Sequence, residues 1–310
     1  MIDDSKIVVL LAAYNGGLYI EEQIKSILNQ SLKPTKIIVS IDKSDDKTLL
    51  IVRSFQKKFK EIEILSFRKK FGSSTANFFN LILNSKLDNF DFVALSDQDD
   101  IWKIKKLERS ISSFDSNTIG YSSNVEAFWQ SGKIKKIKKN QTQSEYDYLF
   151  ESAGPACTYV MKIDFVNEFK GFLKDNIKVL KKFKYYHDWL IYAFARSRNY
   201  KWLIGSDFGL MYRQHRENDF GVNYGFKAYQ KRVISLLNGS FFNTIKILIN
   251  LLKLRNNIFV AKWFPYSRFG FLYLTIFSYK CRRKNIDIIF FSLVCLYLSI
   301  FFPKFFRKDN

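Results

Sequence analysis

Four short apolar runs alternate with amphipathic segments between residues 6 and 97, and this alternation narrows the fold more than any other feature. The runs are KIVVLLAAYN (6–15), TKIIVSID (35–42), EIEILSF (61–67) and FDFVALSD (90–97). Between them lie helical patterns: YIEEQIKSILNQS (19–31), a segment beginning near Ser44, and TANFFNLILNS (75–85). Strands that are apolar along most of their length and joined by helices are buried on both faces, the condition of a parallel sheet. The pattern predicts an α/β fold, a mainly parallel sheet flanked by helices. In such sheets ligands gather at the carboxyl ends of the strands. The polar clusters fall at those ends: Tyr14 and Asn15 after the first run, Asp42 after the second, Asp97 and Asp99 after the fourth. All should open on one rim.

The texture then changes. IGYSSNVEAFWQSGKIKKIKK (119–139) reads as a strand, a Ser-Gly turn and a return strand. Its lysines, Lys133, Lys135, Lys136, Lys138 and Lys139, read as a solvated edge that resists aggregation. No aromatics interleave with them, which argues against a nucleic-acid surface. GPACTYVMK (154–162) predicts another buried strand. YYHDWLIYAFARS (185–197) predicts a helix with His187 and Asp188 in its first turn, and KWLIGSDFGLMYRQH (201–215) a strand pair ending at His215.

Beyond residue 221 the sheet pattern stops, which predicts a catalytic domain over 1–220 and a helical appendage over 221–310. The run IIFFSLVCLYLSIFF (288–302) is uncharged over fifteen residues. A helix of that length covers about 22 Å, against ~30 Å for a bilayer core. It predicts an in-plane or re-entrant helix, with Lys280, Arg282, Arg283, Lys284 and the terminal KFFRK against anionic headgroups. An ordinary buried C-terminal helix is the alternative.

A formal charge of +21, from 50 Lys and Arg against 29 Asp and Glu, favours polyanionic partners without choosing among them. The three cysteines, Cys157, Cys281 and Cys295, lie far apart in no metal-binding spacing, which points to a reducing compartment. The acidic start MIDDSK leads straight into a strand-like run and does not resemble a secretory signal, so a cytoplasmic chain is expected.

A nucleotide-linked substrate suits the rim. Its diphosphate is neutralised best by a divalent cation held on hard carboxylate oxygens. Asp97-Gln98-Asp99 offers two carboxylates on an extended segment, with Asp100 adjacent. Asp42 is placed to accept from a base N–H, and Tyr14 to stack on that base. Taken singly, each is also common punctuation at a strand end.

In order and spacing, LLAAYNGGLYIEEQIKSILNQS, IIVSIDKSDDKT, FGSSTANF, FVALSDQDDIW, GPACTYVM, YYHDWL and YRQH resemble family 2 inverting glycosyltransferases, over about residues 5 to 218. SDQDDIW and HDW look most like bacterial rhamnosyltransferases of surface polysaccharide synthesis. The resemblance implies a GT-A fold and a nucleotide-sugar donor. It implies that Ala12, Tyr14 and Asn15 line the base site, that Asp42 recognises the pyrimidine and that Asn77 contacts the donor. Asp97 and Asp99 would form the DxD motif, Asp99 binding Mn²⁺ or Mg²⁺ directly. His215 would complete the metal site, and Asp188 would be the general base. One-step inversion needs a carboxylate to take the acceptor hydroxyl's proton, although an aspartate in a first turn also serves as a helix cap.

The implied reaction moves rhamnose from dTDP-rhamnose to a hydroxyl of a lipid-linked oligosaccharide at the inner membrane surface; a UDP-hexose donor is the alternative. Two departures from the family pattern stand after strand two, Ile41 for an aspartate and Lys43 for a glycine. A haloacid-dehalogenase-like phosphatase would carry its Asp-x-Asp on the first strand. A sugar nucleotidyltransferase would need a basic residue in AAYNGGLY. A non-enzymatic polyanion- or membrane-binding protein would explain the charge and leave the acidic rim unexplained. Nucleic acid is not an expected partner.

Overall fold

A computed structural model describes residues 4–180, 186–215, 230, 233–236, 238–303 and 306, with only the backbone of Arg68. The first apolar run forms β1 (Ile7–Ala13), buried at every position. Its residues Ile7, Val9, Leu11 and Ala13 join a core with Ile20, Ile24 and Ile27 of α1 (Ile20–Leu28), a one-face helical spacing. The next strands are β2 (Lys36–Asp42), β3 (Ile62–Lys69) and β4 (Phe92–Ser96). Parallel pairing of β1 with β2 and β4, and of β2 with β3, sets the order β3-β2-β1-β4. The chain thus steps outward from β1 on one side and returns on the other. The crevice at such a reversal lies outside the carboxyl ends, where the polar residues sit.

Helices α2 (Thr48–Lys58) and α3 (Ser74–Asn84) connect these strands. The Ser73 side chain caps α3 by accepting from the Ala76 amide. The predicted helix near Ser44 begins only at Thr48, because residues 43–47 are used as a loop.

Past β4 the sheet is mixed. β5 (Ile101–Trp102), β6 (Thr118–Trp129), β7 (Ile134–Ile137), β8 (Val160–Lys162) and β9 (Lys201–Gln214) extend the order to β3-β2-β1-β4-β8-β6-β9-β5, with β7 on β6. β8 is antiparallel to both its neighbours, whereas β9 runs parallel to β6. The predicted strand over 154–162 is strand only at its end. Gly154 at φ 136° and Pro155, which has no N–H to donate, precede a 3₁₀ turn at Ala156–Thr158. The predicted strand pair over 201–215 is one long strand. Its Gly-Ser-Asp is a bulge, since the register steps from Ser123↔Gly205 to Asn124↔Phe208, and Asn124 Nδ2 donates to the Ser206 carbonyl at 2.8 Å. Helices α4 (Lys106–Ser112), α5 (Ile163–Leu180) and α6 (His187–Ser197) complete this part. Helix α5 has no counterpart among the sequence expectations.

Two units emerge: Met1–Asn140 with Ala153–Gly221, and Gln141–Ser152 with Val222–Asn310. Residues 141–152 thus join the second unit rather than the first, and the boundary predicted at 220/221 lies outside the described residues. The second unit holds α7 (Ser240–Leu251), α8 (Arg268–Ile276) and α9 (Asn285–Phe301). Its core is aromatic: Phe271 meets Phe242 at 5.1 Å, Tyr266 at 5.7 Å and Phe306 at 5.0 Å. The basic cluster before α9, expected against headgroups, is largely committed inside this unit. Arg283 is buried, with 3.5 Å to Asp147 and 3.2 Å to Glu151, and Lys280 pairs with Glu145 at 2.8 Å. Arg282 donates to the Phe150 carbonyl at 2.7 Å. The terminal KFFRK lies outside the described residues except for Phe306. Among the described residues no helix is long and apolar enough to cross a membrane.

Candidate active site

The loop after β1 is held open by its neighbours. Asn15 adopts φ 45°, a left-handed conformation that asparagine tolerates. Its amide donates to Ser44 Oγ (3.0 Å), and its Oδ1 accepts from the Asp45 amide (3.0 Å). The Gly16 amide donates to Thr48 Oγ1 (2.8 Å) and the Gly17 amide to Asp46 Oδ2 (2.7 Å). Asn15 therefore ties the two loops together, and the Tyr14 ring beside it is exposed. Ala12 is buried within β1 opposite Ser40. Burial pushes the Asp46 carboxyl up, but hydrogen bonds from the Thr48 hydroxyl and from the Thr48 and Gly17 amides outweigh it and hold the group below its usual range.

Asp42, at the end of β2, is buried and already engaged. It accepts from the amides of Lys43 (2.7 Å), Phe71 (2.9 Å) and Gly72 (3.0 Å). A carboxylate has about four acceptor positions, so there is room for one more donor. These bonds pin the β3–α3 loop to the rim. Asn77 is buried too. Its Nδ2 donates to the carbonyls of Ser40 (3.1 Å) and Ala13 (3.3 Å), closing β1 and β2 together, while its buried Oδ1 has no hydrogen-bond partner. It braces the rim from beneath.

The acidic loop after β4 is fixed by residues that the motif alone does not single out. Gln98 pairs with the backbone of Tyr14, accepting from its amide and donating to its carbonyl, both at 2.6 Å. This arrangement requires Gly16, where an added Cβ would stand 2.3 Å from Gln98 Oε1. Gln23, with its amide oriented to satisfy both atoms, accepts from Ser96 Oγ (2.6 Å) and Trp102 Nε1 (3.1 Å) and donates to the Asp100 carbonyl. From β9, the Arg213 side chain donates to the Asp99 carbonyl (2.8 Å) and to Glu22, and its amide donates to Asp100 Oδ1 (3.1 Å). Its guanidinium also lies over Tyr19, 4.7 Å from the ring centre. Beneath the loop the Lys106 amine is buried 3.5 Å from the Trp102 ring centre, and burial pushes its pKa down to about 7.

The candidate ligands fall into two groups. Asp99 Oδ2 and His215 Nε2 are 2.7 Å apart, and the His215 ring stacks on Tyr19 at 5.0 Å. Asp97 lies instead with Asp100 and Cys157. Among the described residues these are the only three candidate ligand groups whose donor atoms lie within 4.8 Å of one another. The expected trio of Asp97, Asp99 and His215 is therefore only partly gathered. Asp100 is fully buried, and burial, then the charges of Asp99 and Asp97, hold its carboxyl well above the usual range. Burial first, then Asp100 and Asp97, likewise pushes the Cys157 thiol up. Hard carboxylate oxygens suit Mn²⁺ or Mg²⁺, and the soft thiol of Cys157 does not. Asp99 and His215, a carboxylate and an imidazole with donor atoms 2.7 Å apart, fit such an ion, as do the carboxylates of Asp97 and Asp100.

Asp188 opens α6, entered through Tyr186 in a left-handed turn (φ 78°, ψ 51°). The half-buried carboxylate accepts from the Trp189 amide at 2.8 Å. This is a bond to the next residue, not the reach to the second or third amide expected of a helix cap. Tyr159 links it to the rim: its hydroxyl donates to the Asp188 carbonyl (3.2 Å), and its carbonyl accepts from the amide of Leu95 in β4 (3.0 Å). The neighbouring His187 is buried on Phe78 with its Nδ1 3.3 Å from Thr75 Oγ1, and burial lowers its pKa to about 3. It stays neutral and serves packing.

The signals for the missed residues were weak. Asp46, two places before the first helical Thr48, has a capping pattern; Gln98, Arg213 and Lys106 show nothing at the sequence level beyond their neighbours.

The family model Glycosyl transferase family 2 matches residues 8–181. The dTDP-rhamnosyl transferase RfbG of Shigella flexneri is 40% identical over 293 residues, 94% of this chain and 100% of RfbG. The UDP-Glc:alpha-D-GlcNAc-diphosphoundecaprenol beta-1,3-glucosyltransferase WfgD of Escherichia coli is 28% identical over 170 residues, 54% of this chain and 64% of WfgD. Among solved structures, S. aureus TarS 1–349 in complex with UDP aligns at a TM-score of 0.53 with 16% identity, covering 96% of this chain and 92% of that one. At that identity the likeness concerns the fold.

Proposed function

This chain belongs to glycosyl transferase family 2, and from that premise we propose that it transfers rhamnose from dTDP-rhamnose, with inversion, to a hydroxyl of a lipid-linked saccharide at the inner face of the cell membrane. The observation that carries the donor is the 40% identity to a dTDP-rhamnosyl transferase, spread over 94% of the chain rather than confined to one motif. The lipid-linked acceptor draws support from the diphosphoundecaprenol substrate in the name of WfgD.

The residues divide the work. Tyr14 offers its exposed ring to the base, and Asp42 has one acceptor position for a base N–H. Asp97, Asp99 and His215 would hold Mn²⁺ or Mg²⁺, with the Asp99–His215 contact as the nucleus. Bound there, the ion supplies positive charge that offsets the negative charge building on the departing diphosphate. Arg213, Gln98 and Gln23 keep the acidic loop in place, so little reorganisation is needed when the donor binds. Asp188 takes the proton of the acceptor hydroxyl as its oxygen attacks the anomeric carbon. The neutral His187 adds no competing charge beside it.

A UDP-hexose donor is the second reading, favoured by the UDP-Glc specificity in the name of WfgD. Purified protein melted with Mn²⁺ and a panel of nucleotide sugars separates the two. At a hundred times Kd, the true donor should stabilise the fold by about 2.7 kcal/mol. Single-turnover transfer with Asp188→Asn then tests the base: transfer should fall by about 10²–10⁴ with donor binding intact. Stabilisation by UDP-glucose and not by dTDP-rhamnose would replace the first reading with the second. Normal transfer by a well-folded Asn variant would remove Asp188 from its role.

A further inference from the structure

The second unit carries an apolar surface that its own fold leaves uncovered. On α8, Phe269, Leu272 and Ile276 are exposed, three and four residues apart and so on one helical face. On α9, Ile286, Ile289, Leu293 and Ile300 repeat the same spacing over four turns. These seven side chains keep between 41% and 83% of their surface in contact with solvent. The inward face is distinct: Phe271 and Leu274 of α8, and Phe291, Val294, Cys295 and Leu298 of α9, are buried. The two helices are joined by Ser292 Oγ donating to the Thr275 carbonyl at 3.1 Å, residues next in sequence to Leu293 and Ile276 of the two stripes. Single exposed leucines are ordinary; an apolar stripe on each of two bonded helices marks an interaction site.

Charge identifies the occupant. Residues 222–310 contain 15 Lys and Arg against Asp287 and Asp309 alone. The acids of residues 141–152 offset some of this, pairing with Lys280, Arg282 and Arg283, and the excess is still large. Lys262 and Arg268 are exposed in the segment that leads into and begins α8. A second copy pressed on this surface would bring the same positive charge against itself. An anionic lipid surface would bring the opposite charge and accept the apolar side chains among its acyl chains.

We propose that the exposed faces of α8 and α9 form the surface by which this protein docks on anionic membrane, lying in the interface rather than crossing it. The length of α9 agrees: seventeen residues make a helix of about 25 Å, short of a ~30 Å hydrocarbon core. The inference deepens the membrane part of the proposed function and does not depend on the donor.

Flotation of the full chain with vesicles tests it. The protein should rise with vesicles of 30% phosphatidylglycerol in phosphatidylcholine and rise less with phosphatidylcholine alone. Half-molar salt should release part of it, because headgroup attraction is screened. Ile289→Glu with Leu293→Glu should lower the bound fraction at least tenfold while thermal melting stays at the wild-type temperature. If that pair fails to fold, Phe269→Ser with Leu272→Ser on the other helix provides the same test. Wild-type protein that stays in solution with both vesicle types overturns the proposal, as do folded variants that bind unchanged. A concentration-dependent dimer in sedimentation, abolished by either pair and without vesicle binding, would assign the surface to a second copy. Sugar transfer to a soluble acceptor, measured in parallel, reports on the transferase reading separately.

Discussion

Replacing Gly16 by alanine should act on the acidic loop from across the rim, through Gln98 alone. The added Cβ would stand 2.3 Å from Gln98 Oε1 and 2.6 Å from its Cδ, so the amide must swing away. Both 2.6 Å bonds to the Tyr14 backbone are then lost. At about 1 kcal/mol net per bond the loss is about 2 kcal/mol. Alanine returns roughly 0.4–1 kcal/mol by restricting the unfolded chain, because Gly16 is not among the positive-φ residues. Gly16→Ala should therefore cost roughly 1–1.5 kcal/mol, and Gln98→Ala about 2 kcal/mol. In the double variant the close contacts with Gln98 Oε1, Cδ and Cγ are gone and no further bond is lost. It should be no less stable than Gln98→Ala, an interaction of about 2 kcal/mol between the sites. Urea unfolding of the four proteins measures the cycle, and nucleotide titration with Mn²⁺ shows whether binding weakens as the loops part. Additive costs would refute the mechanism, since the two residues would then act through different contacts.

Three further outcomes are expected. Asp99→Ala and His215→Ala should each remove the Mn²⁺ dependence of nucleotide binding, checked by calorimetry with and without the ion; unchanged dependence in both would place the metal elsewhere. Asp42→Ala strips the acceptor from three loop amides, so it should destabilise by about 2–3 kcal/mol as well as weaken pyrimidine nucleotides, seen in urea unfolding beside titration with UDP and pyrophosphate. His187 has a folded pKa of about 3, below its ordinary value of about 6.5, so its contribution to stability is fully present above pH 6.5 and lost as pH falls toward 3. Wild-type protein should lose about 2 kcal/mol more than His187→Phe between pH 8 and pH 5; parallel pH curves would show that His187 is charged in the folded state.

The sequence by itself determined the four strands at the head of the chain, their order of helices, and the rim on which Tyr14, Asn15, Asp42, Asp97 and Asp99 meet. It did so because strands buried on both faces must be apolar throughout, and polar residues at their ends then have one place to go. The place of Asp188 in the first turn of a helix was legible too, while its role as base rests on the family resemblance. The Gly-Ser-Asp bulge of β9 was not, because a turn and a bulge use the same residues and only pairing with β6 tells them apart. Nor was the bracing by Asp42 and Asn77, since bonds to Phe71, Gly72, Ala13 and Ser40 cross gaps in sequence that no local pattern spans. Asp97, Asp99 and His215 looked like one ligand set, yet folding put Asp97 beside Asp100 and Cys157. The basic cluster before α9 looked like a headgroup contact, and folding paired much of it with residues 141–152. In each case periodicity reports which way a side chain faces, and only the assembled neighbours decide which atom it touches.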